Sequence, residues 1–100
     1  MRPVLPIDLI CAGRAVLKAA PRNRPDQARK LVAAAVLADN FRLRTGCIHP
    51  DYGDGTLAYA ARIFGMAPEP AICDPAFSNS LINVLQALAL DDFASHRNLQ

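Results

Sequence analysis

Proline placement constrains this chain more than any other feature of its sequence. The chain has 100 residues and eight prolines, which leave four proline-free stretches at residues 7–20, 26–49, 51–67 and 76–100. Because proline disrupts a helix interior but is accepted in a first turn, these stretches are where helices fit. Alanine and leucine supply 30 of the 100 residues, and both favour helix over sheet. The sequence therefore predicts an all-α protein.

Apolar spacing within these stretches predicts four helices in a single compact domain over residues 1–100. In the first stretch, Leu9, Ala12, Gly13 and Val16 follow the i, i+3, i+4, i+7 spacing of one helix face. Gly13 lies within that face and either permits a close approach between helices or is an incidental small residue. We expect the four helices at about 7–20, 25–45, 55–65 and 75–92. The fourth helix either stops near Leu90 or continues to about Arg97.

The second and fourth helices carry further expectations about burial. Asp39 falls at the edge of an apolar stripe and, if buried, needs Arg42 or a cation from another helix. Asp74 as N-cap and Pro75 at the first helical position mark the start of the fourth helix. The expected core face of that helix comprises Phe77, Leu81, Val84, Leu85 and Leu88.

The cysteines and the hydropathy of the sequence indicate the cellular compartment of the protein. The three cysteines, Cys11, Cys47 and Cys73, form an odd set without a Cys-x-x-Cys pair, which favours a reducing compartment over a disulfide scaffold. The longest apolar run, Leu31–Ala38, has eight residues, whereas a membrane-spanning helix needs roughly 18 or more. Prolines and charges interrupt any signal-peptide core near the start of the chain. We expect a cytoplasmic protein outside the membrane.

The segment between the second and third helices is the candidate functional loop, because loops on rigid scaffolds often carry function. Its candidate residues are Cys47, His49, Asp51, Tyr52 and Asp54. A zinc site would need a second ligand pair to match Cys47 and His49, and the aspartates do not follow the calcium-loop pattern. Acid–base or nucleophilic pairing within the loop has no catalytic signature behind it. We therefore expect no metal, no cofactor and no enzyme activity.

A structural interpretation accounts for the same loop residues. Asp54 can cap the third helix, His49 can donate to a loop carbonyl, and Tyr52 can pack its ring on the core with its hydroxyl in solvent. Gly53 and Gly55 allow positive φ angles in the turn that leads to the helix. We expect the loop to act as scaffolding.

The loop also carries a family resemblance. Residues 46–57, with a His-Pro-x-aromatic-Gly-Asp-Gly stretch, and the opening residues 1–5 resemble a group of small uncharacterised helical proteins from alphaproteobacteria. That group has a basic residue where Cys47 stands, which weakens any role for Cys47 as ligand or nucleophile. It has Trp where Tyr52 stands, an exchange that suits packing. The resemblance implies a bacterial helical protein and names no activity.

Charge is distributed unevenly along the chain. Residues 1–46 hold nine basic and three acidic residues, whereas residues 47–100 hold two basic and six acidic ones. The two halves can face each other across one small domain or across a dimer. Alternatively, the basic half can attract nucleic acid, with Arg22, Arg24, Arg29 and Lys30 as possible phosphate-binding residues. No recognised nucleic-acid motif accompanies them. Nucleic-acid binding is therefore an alternative function, as is an enzyme or metal site at the His49 loop.

The leading hypothesis is a non-catalytic helical module that binds a protein partner or a second copy of itself. Four short helices with 52% apolar residues are expected to leave apolar surface uncovered, and such patches mark interfaces. One candidate face contains Ile7, Ile10 and Cys11. The other contains Ile82, Leu90 and Phe93.

Overall fold

Four α-helices make up the fold within the part of the chain that the structure describes, as the sequence predicts. A computed structural model describes the backbone of residues 1–98 and the side-chain surroundings of residues 1–92. The helices are α1 (Pro6–Leu17), α2 (Arg24–Thr45), α3 (Leu57–Phe64) and α4 (Pro75–Asn98). A single turn of 3₁₀ helix, Pro21–Asn23, joins α1 to α2. No β-strand occurs within residues 1–98, so the all-α prediction is confirmed.

Helices α1 and α2 form the centre of the fold, since each packs against the other and against both α3 and α4. Alanines supply much of the core, which allows the helix axes to approach closely. Gly13 gives the clearest case: a Cβ there would lie 2.6 Å from Cδ2 of Leu81 on α4. The predicted close approach at Gly13 is confirmed.

The boundaries of α1 and α3 differ from those expected. α1 ends at Leu17 rather than near residue 20, because Ala20 precedes a proline and residues before proline disfavour helical geometry. The guanidinium of Arg24 also donates to the carbonyl oxygens of Leu17 and Ala19 and so caps this end. α3 begins at Leu57, two residues later than expected.

The core face of α4 is rotated from the expected one. Leu85, predicted to lie in the core, is 51% exposed. Leu81 and Leu88, also expected in the core, are half-buried. Phe77 and Val84 are buried as expected, and Ser80 and Ala87 join them at the i, i+3, i+7, i+10 positions of one stripe. This stripe faces the seam between α1 and α2, because α4 packs on both helices. Leu85 therefore lies at the edge of the contact with α1.

The ends of α4 also bear on the predictions. Asp74 accepts a hydrogen bond from the backbone N–H of Phe77 at 3.1 Å, so the predicted cap is confirmed. The helix continues to Asn98, beyond the expected range of 75–92 and within one residue of the longer alternative, which ends at about Arg97. Asp91 and Asp92 therefore lie inside the helix, away from the negative end of its dipole.

The burial of individual residues changes which of them can belong to the two expected interaction faces. Cys11 is 4% exposed and belongs to the core, so the first expected face reduces to Ile7 and the half-buried Ile10. Ile82 and Leu90 are exposed as expected. The side chain of Phe93 lies outside the described residues. Within the described part of the chain, no helix combines the length and apolar character needed to span a bilayer.

Candidate functional site

His49 organises the loop between α2 and α3, which we call the His49 loop (residues 46–56). Its backbone exchanges two hydrogen bonds with Gly53, at 2.9 and 3.0 Å. Its Nδ1 accepts hydrogen bonds from the backbone N–H groups of Asp51 at 3.0 Å and Tyr52 at 3.1 Å. His49 thus accepts from the loop backbone rather than donating to a carbonyl as predicted. An accepting Nδ1 places the proton of the neutral ring on Nε2.

The imidazole ring of His49 lies between two other aromatic rings and contacts both. The imidazole lies edge-on to Phe41, with ring centroids 4.9 Å apart, and is stacked on Tyr52 at 5.1 Å. Tyr52 therefore packs on the loop's own histidine, whereas we predicted that it packs on the core. Its ring forms one wall of a cavity of about 280 Å³, which we call the Tyr52 groove. The groove is lined by Lys30, Ala33, Ala34, Leu37, Tyr52 and Phe64.

Asp54 acts on the start of α3 through a neighbour. Thr56 is the N-cap, since its Oγ1 accepts from the backbone N–H of Tyr59 at 3.2 Å. Asp54 in turn accepts from the N–H and hydroxyl of Thr56, at 3.0 and 2.7 Å. Burial raises the pKa of Asp54, but these hydrogen bonds and the charge of Arg2 outweigh it, so the pKa is lowered. Asp54 accepts from a backbone N–H two residues on, as predicted, but the N-cap of α3 is Thr56, whose side chain the carboxylate orients.

A buried ion cluster fixes the end of the loop to α2. Asp39 accepts from Arg42 at 2.8 Å and lies 3.3 Å from the amino group of Met1. Burial alone raises the pKa of Asp39. The hydrogen bonds and charges of Arg42 and the Met1 amino group lower it by more, so the net shift of the pKa is downward. Gly55 packs directly on Asp39, and its carbonyl accepts from the N–H of Arg2 at 3.2 Å. The expected pairing of a buried Asp39 with Arg42 is confirmed.

Asp8 stabilises the fold, although the sequence analysis did not single it out. Its buried carboxylate accepts from the N–H of Leu5 at 2.8 Å and from the N–H of Ala58 at 3.0 Å. The Asp8 carboxylate thereby accepts hydrogen bonds from backbone N–H groups at the starts of both α1 and α3. The contact with Leu5, three residues away, is readable as the reach-back half of a capping box. The contact with Ala58 spans fifty residues and has no local signal.

The remaining loop residues do not converge on a chemical site. Cys47 and Asp51 are exposed, and the backbone N–H of Cys47 donates to Thr45 Oγ1. Of the five candidate residues, the structure brings His49 and Tyr52 into ring contact. Within the described residues, no three His, Cys, Asp or Glu side chains are grouped as metal ligands. The loop's polar groups mainly satisfy one another and the local backbone.

The four candidate phosphate-binding residues have different surroundings. Arg24 is half-buried and caps α1 through backbone carbonyls. Arg29 forms an exposed ion pair with Asp26. Arg22 and Lys30 are exposed, on the 3₁₀ turn and on α2. Two of the four guanidinium or ammonium groups are therefore already engaged within the chain.

An apolar groove between α1 and α4 was not foreseen as a unit. Its volume is about 400 Å³, and no residue among 1–92 that lines it has an ionisable side chain. Leu5 and Leu85, on its two sides, are 58% and 51% exposed. We call it the α1–α4 groove, and it is lined by Val4, Leu5, Pro6, Leu9, Leu85 and Leu88. The apolar pair Val4 and Leu5 ahead of Pro6 was its only sequence signal.

A third depression lies between α2 and α4. It has a volume of about 430 Å³ and mixes apolar residues with the side-chain amides of Asn83 and Gln86. Arg29 at its rim is already paired with Asp26. Its lining is therefore more polar than that of the α1–α4 groove.

Comparison with known proteins gives one match. A protein-family model described as Domain of unknown function (DUF7742) matches residues 2–88. That range includes the His49 loop and both sides of the α1–α4 groove. Searches of curated proteins and of solved structures find no match.

Proposed function

The chain belongs to the family described as Domain of unknown function (DUF7742), and we propose that it acts as a non-catalytic protein-interaction module. The observation that carries this proposal is the α1–α4 groove, where leucines that a small helical protein would ordinarily bury remain in contact with solvent. The occupant is a helix from a protein partner or from a second copy of the chain.

The shape of the groove supports a helical occupant. Gly13 packs on Leu81, whereas Leu9 shares the groove with Leu85 and Leu88, so α1 and α4 run antiparallel. A furrow between two antiparallel helices can accept the apolar face of a third helix. Fully burying an exposed leucine side chain contributes roughly 1.5–3 kcal/mol. Leu5 and Leu85 are 58% and 51% exposed, so each can gain roughly half of that amount on binding.

The His49 loop supports a structural role beside this surface. The Nδ1 of His49 and the carboxylate of Asp54 are both occupied by hydrogen bonds from the loop itself. A general base must instead present its acceptor to a substrate. The loop therefore adds to the scaffold that holds α2 and α3 in place.

The setting we propose is the bacterial cytoplasm, in an alphaproteobacterium. The His-Pro-x-aromatic-Gly-Asp-Gly stretch at residues 49–55 supports the source. Three free thiols, two of them exposed at Cys47 and Cys73, support a reducing compartment.

The test is affinity capture from native lysate, combined with sedimentation of the purified protein. Leu85→Gln removes an exposed leucine from the groove, and Leu43→Gln removes a 69% exposed leucine on α2 that lies outside it. We expect the wild type and the Leu43→Gln variant to retain the same partner or the same self-association. We expect the Leu85→Gln variant to lose it while its thermal stability stays within about 0.5 kcal/mol of the wild type. A wild-type monomer that captures no specific partner contradicts the proposal, as does equal capture by both variants.

A further inference from the structure

The Tyr52 groove has walls from three separate parts of the chain. α2 supplies Ala33, Ala34 and Leu37, the end of α3 supplies Phe64, and the His49 loop supplies Tyr52. Leu37 is 48% exposed and lines the groove together with Tyr52 and Phe64. The two alanines leave the volume between these larger side chains unfilled. An apolar body can therefore enter between Leu37 and the aromatic rings.

The charge at this groove is positive. Lys30 is its charged lining residue, and its lining contains no acidic side chain. The ammonium group of Lys18 lies near Gly65, the residue that follows Phe64, at 2.8 Å from where a Cβ would stand. A second cation therefore lies close to the same end of α3. An anionic group on a ligand would be attracted to this end of the groove.

The aromatic wall is held in place before any ligand binds. The ring of Tyr52 is stacked on His49, and the Tyr52 backbone N–H donates to His49 Nδ1 at 3.1 Å. Such preorganisation lowers the entropic cost of binding. The contact between His49 and Tyr52 therefore closes the loop and also fixes the aromatic wall of the groove.

We propose that the Tyr52 groove binds a small carboxylic acid with an apolar body, aliphatic or aromatic, and that Lys30 pairs with its carboxylate. The apolar body lies against Leu37, Tyr52 and Phe64. At about 280 Å³ the groove falls just below the usual range for drug-sized ligands of roughly 300–1,000 Å³, which favours a small molecule. This site is separate from the α1–α4 groove and does not depend on the proposed function.

The experiment is an NMR titration of backbone amides in the full chain with phenylbutyrate, and in parallel with the neutral phenylbutanol. We expect saturable shifts in residues 30–37, 52 and 64, with a dissociation constant on the order of 1 mM for so small a ligand on an open groove. Phenylbutanol is expected to bind about threefold to fivefold more weakly, because an exposed ion pair contributes at most about that factor.

Three substitutions test whether the ligand binds in the Tyr52 groove. Ala33→Leu fills the groove with a good helix former and is expected to abolish the shifts. Lys30→Met is expected to weaken phenylbutyrate about threefold to fivefold and leave phenylbutanol unchanged. The control, Arg22→Met, removes an exposed cation that does not line the groove and is expected to bind as the wild type does. Shifts elsewhere, no saturable shifts, unchanged binding to the Ala33→Leu variant, or equal binding of acid and alcohol would each overturn the proposal.

Discussion

Gly55 of the His49 loop packs directly against Asp39 of α2. Its φ angle is +92°, and a Cβ there would lie 2.8 Å from the backbone Cα of Asp39. A left-handed conformation costs other residues roughly 1–2 kcal/mol, and here the added methyl also meets backbone that cannot rotate away. We expect Gly55→Ala to lower the free energy of unfolding by about 2 kcal/mol or more in urea denaturation.

Gly46 supplies the matched control for that substitution. It also has a positive φ, +73°, but nothing lies within 4 Å of its added Cβ. Gly46→Ala should therefore cost only the conformational part, about 1 kcal/mol. Equal losses in the two variants would show that the contact between Gly55 and Asp39 contributes nothing.

The ion cluster at Asp39 predicts a loss of stability in acid. The pKa values of Asp39 and Asp54 are lowered in the folded protein, so the unfolded chain binds protons more readily. Their contribution is fully present above the unfolded pKa, about 4, and is lost as the pH falls through the folded values. We expect the free energy of unfolding to decrease as the pH falls below about 4.

The variant Asp39→Asn separates this contribution from general acid denaturation. It leaves Arg42 and the Met1 amino group without their carboxylate, and we expect a cost of about 2 kcal/mol at neutral pH. The slope below pH 4 should also become shallower. Asp26→Asn, in the exposed pair with Arg29, should cost less than about 0.5 kcal/mol. An unchanged acid slope in the Asp39→Asn variant would refute the assignment.

At the scale of helices, Asp8 couples the starts of α1 and α3. Its two oxygens accept from backbone N–H groups of both helices, and the N–H of Ala58 is buried. Asp8→Ala should therefore cost about 2–3 kcal/mol, since it removes two caps and leaves a buried donor unsatisfied. Thr56→Ala removes a single cap of α3 and should cost about 1 kcal/mol. Thermal melts in which the two variants lose the same stability would contradict this linkage.

Helix positions were predictable from the sequence because prolines and caps act locally. The start of α4 at Pro75 followed from Asp74 and needed no tertiary information. The burial of individual positions was less predictable, since it depends on which neighbours a helix meets. Leu85 became exposed because α4 turns its buried stripe toward both α1 and α2, and the sequence of α4 alone does not record that angle.

At the scale of the whole molecule, the candidate site was only partly predictable. Its place between two predicted helices marked the His49 loop as the candidate site, but the direction of the His49 hydrogen bonds follows from the closed turn between His49 and Gly53. The α1–α4 groove joins residues about eighty positions apart in sequence, such as Leu5 and Leu85. The Tyr52 groove likewise joins α2 to a loop and to α3. Such surfaces are set by packing, which local patterns do not encode.

Site-specific photo-crosslinking in living cells tests the interaction proposal most directly. A photoreactive residue replaces Leu85 in the α1–α4 groove or, as a control, the exposed Leu43 outside it. The proposal predicts a discrete adduct of defined mass from position 85 and none from position 43. No adduct at position 85, or the same diffuse products from both positions, would contradict it.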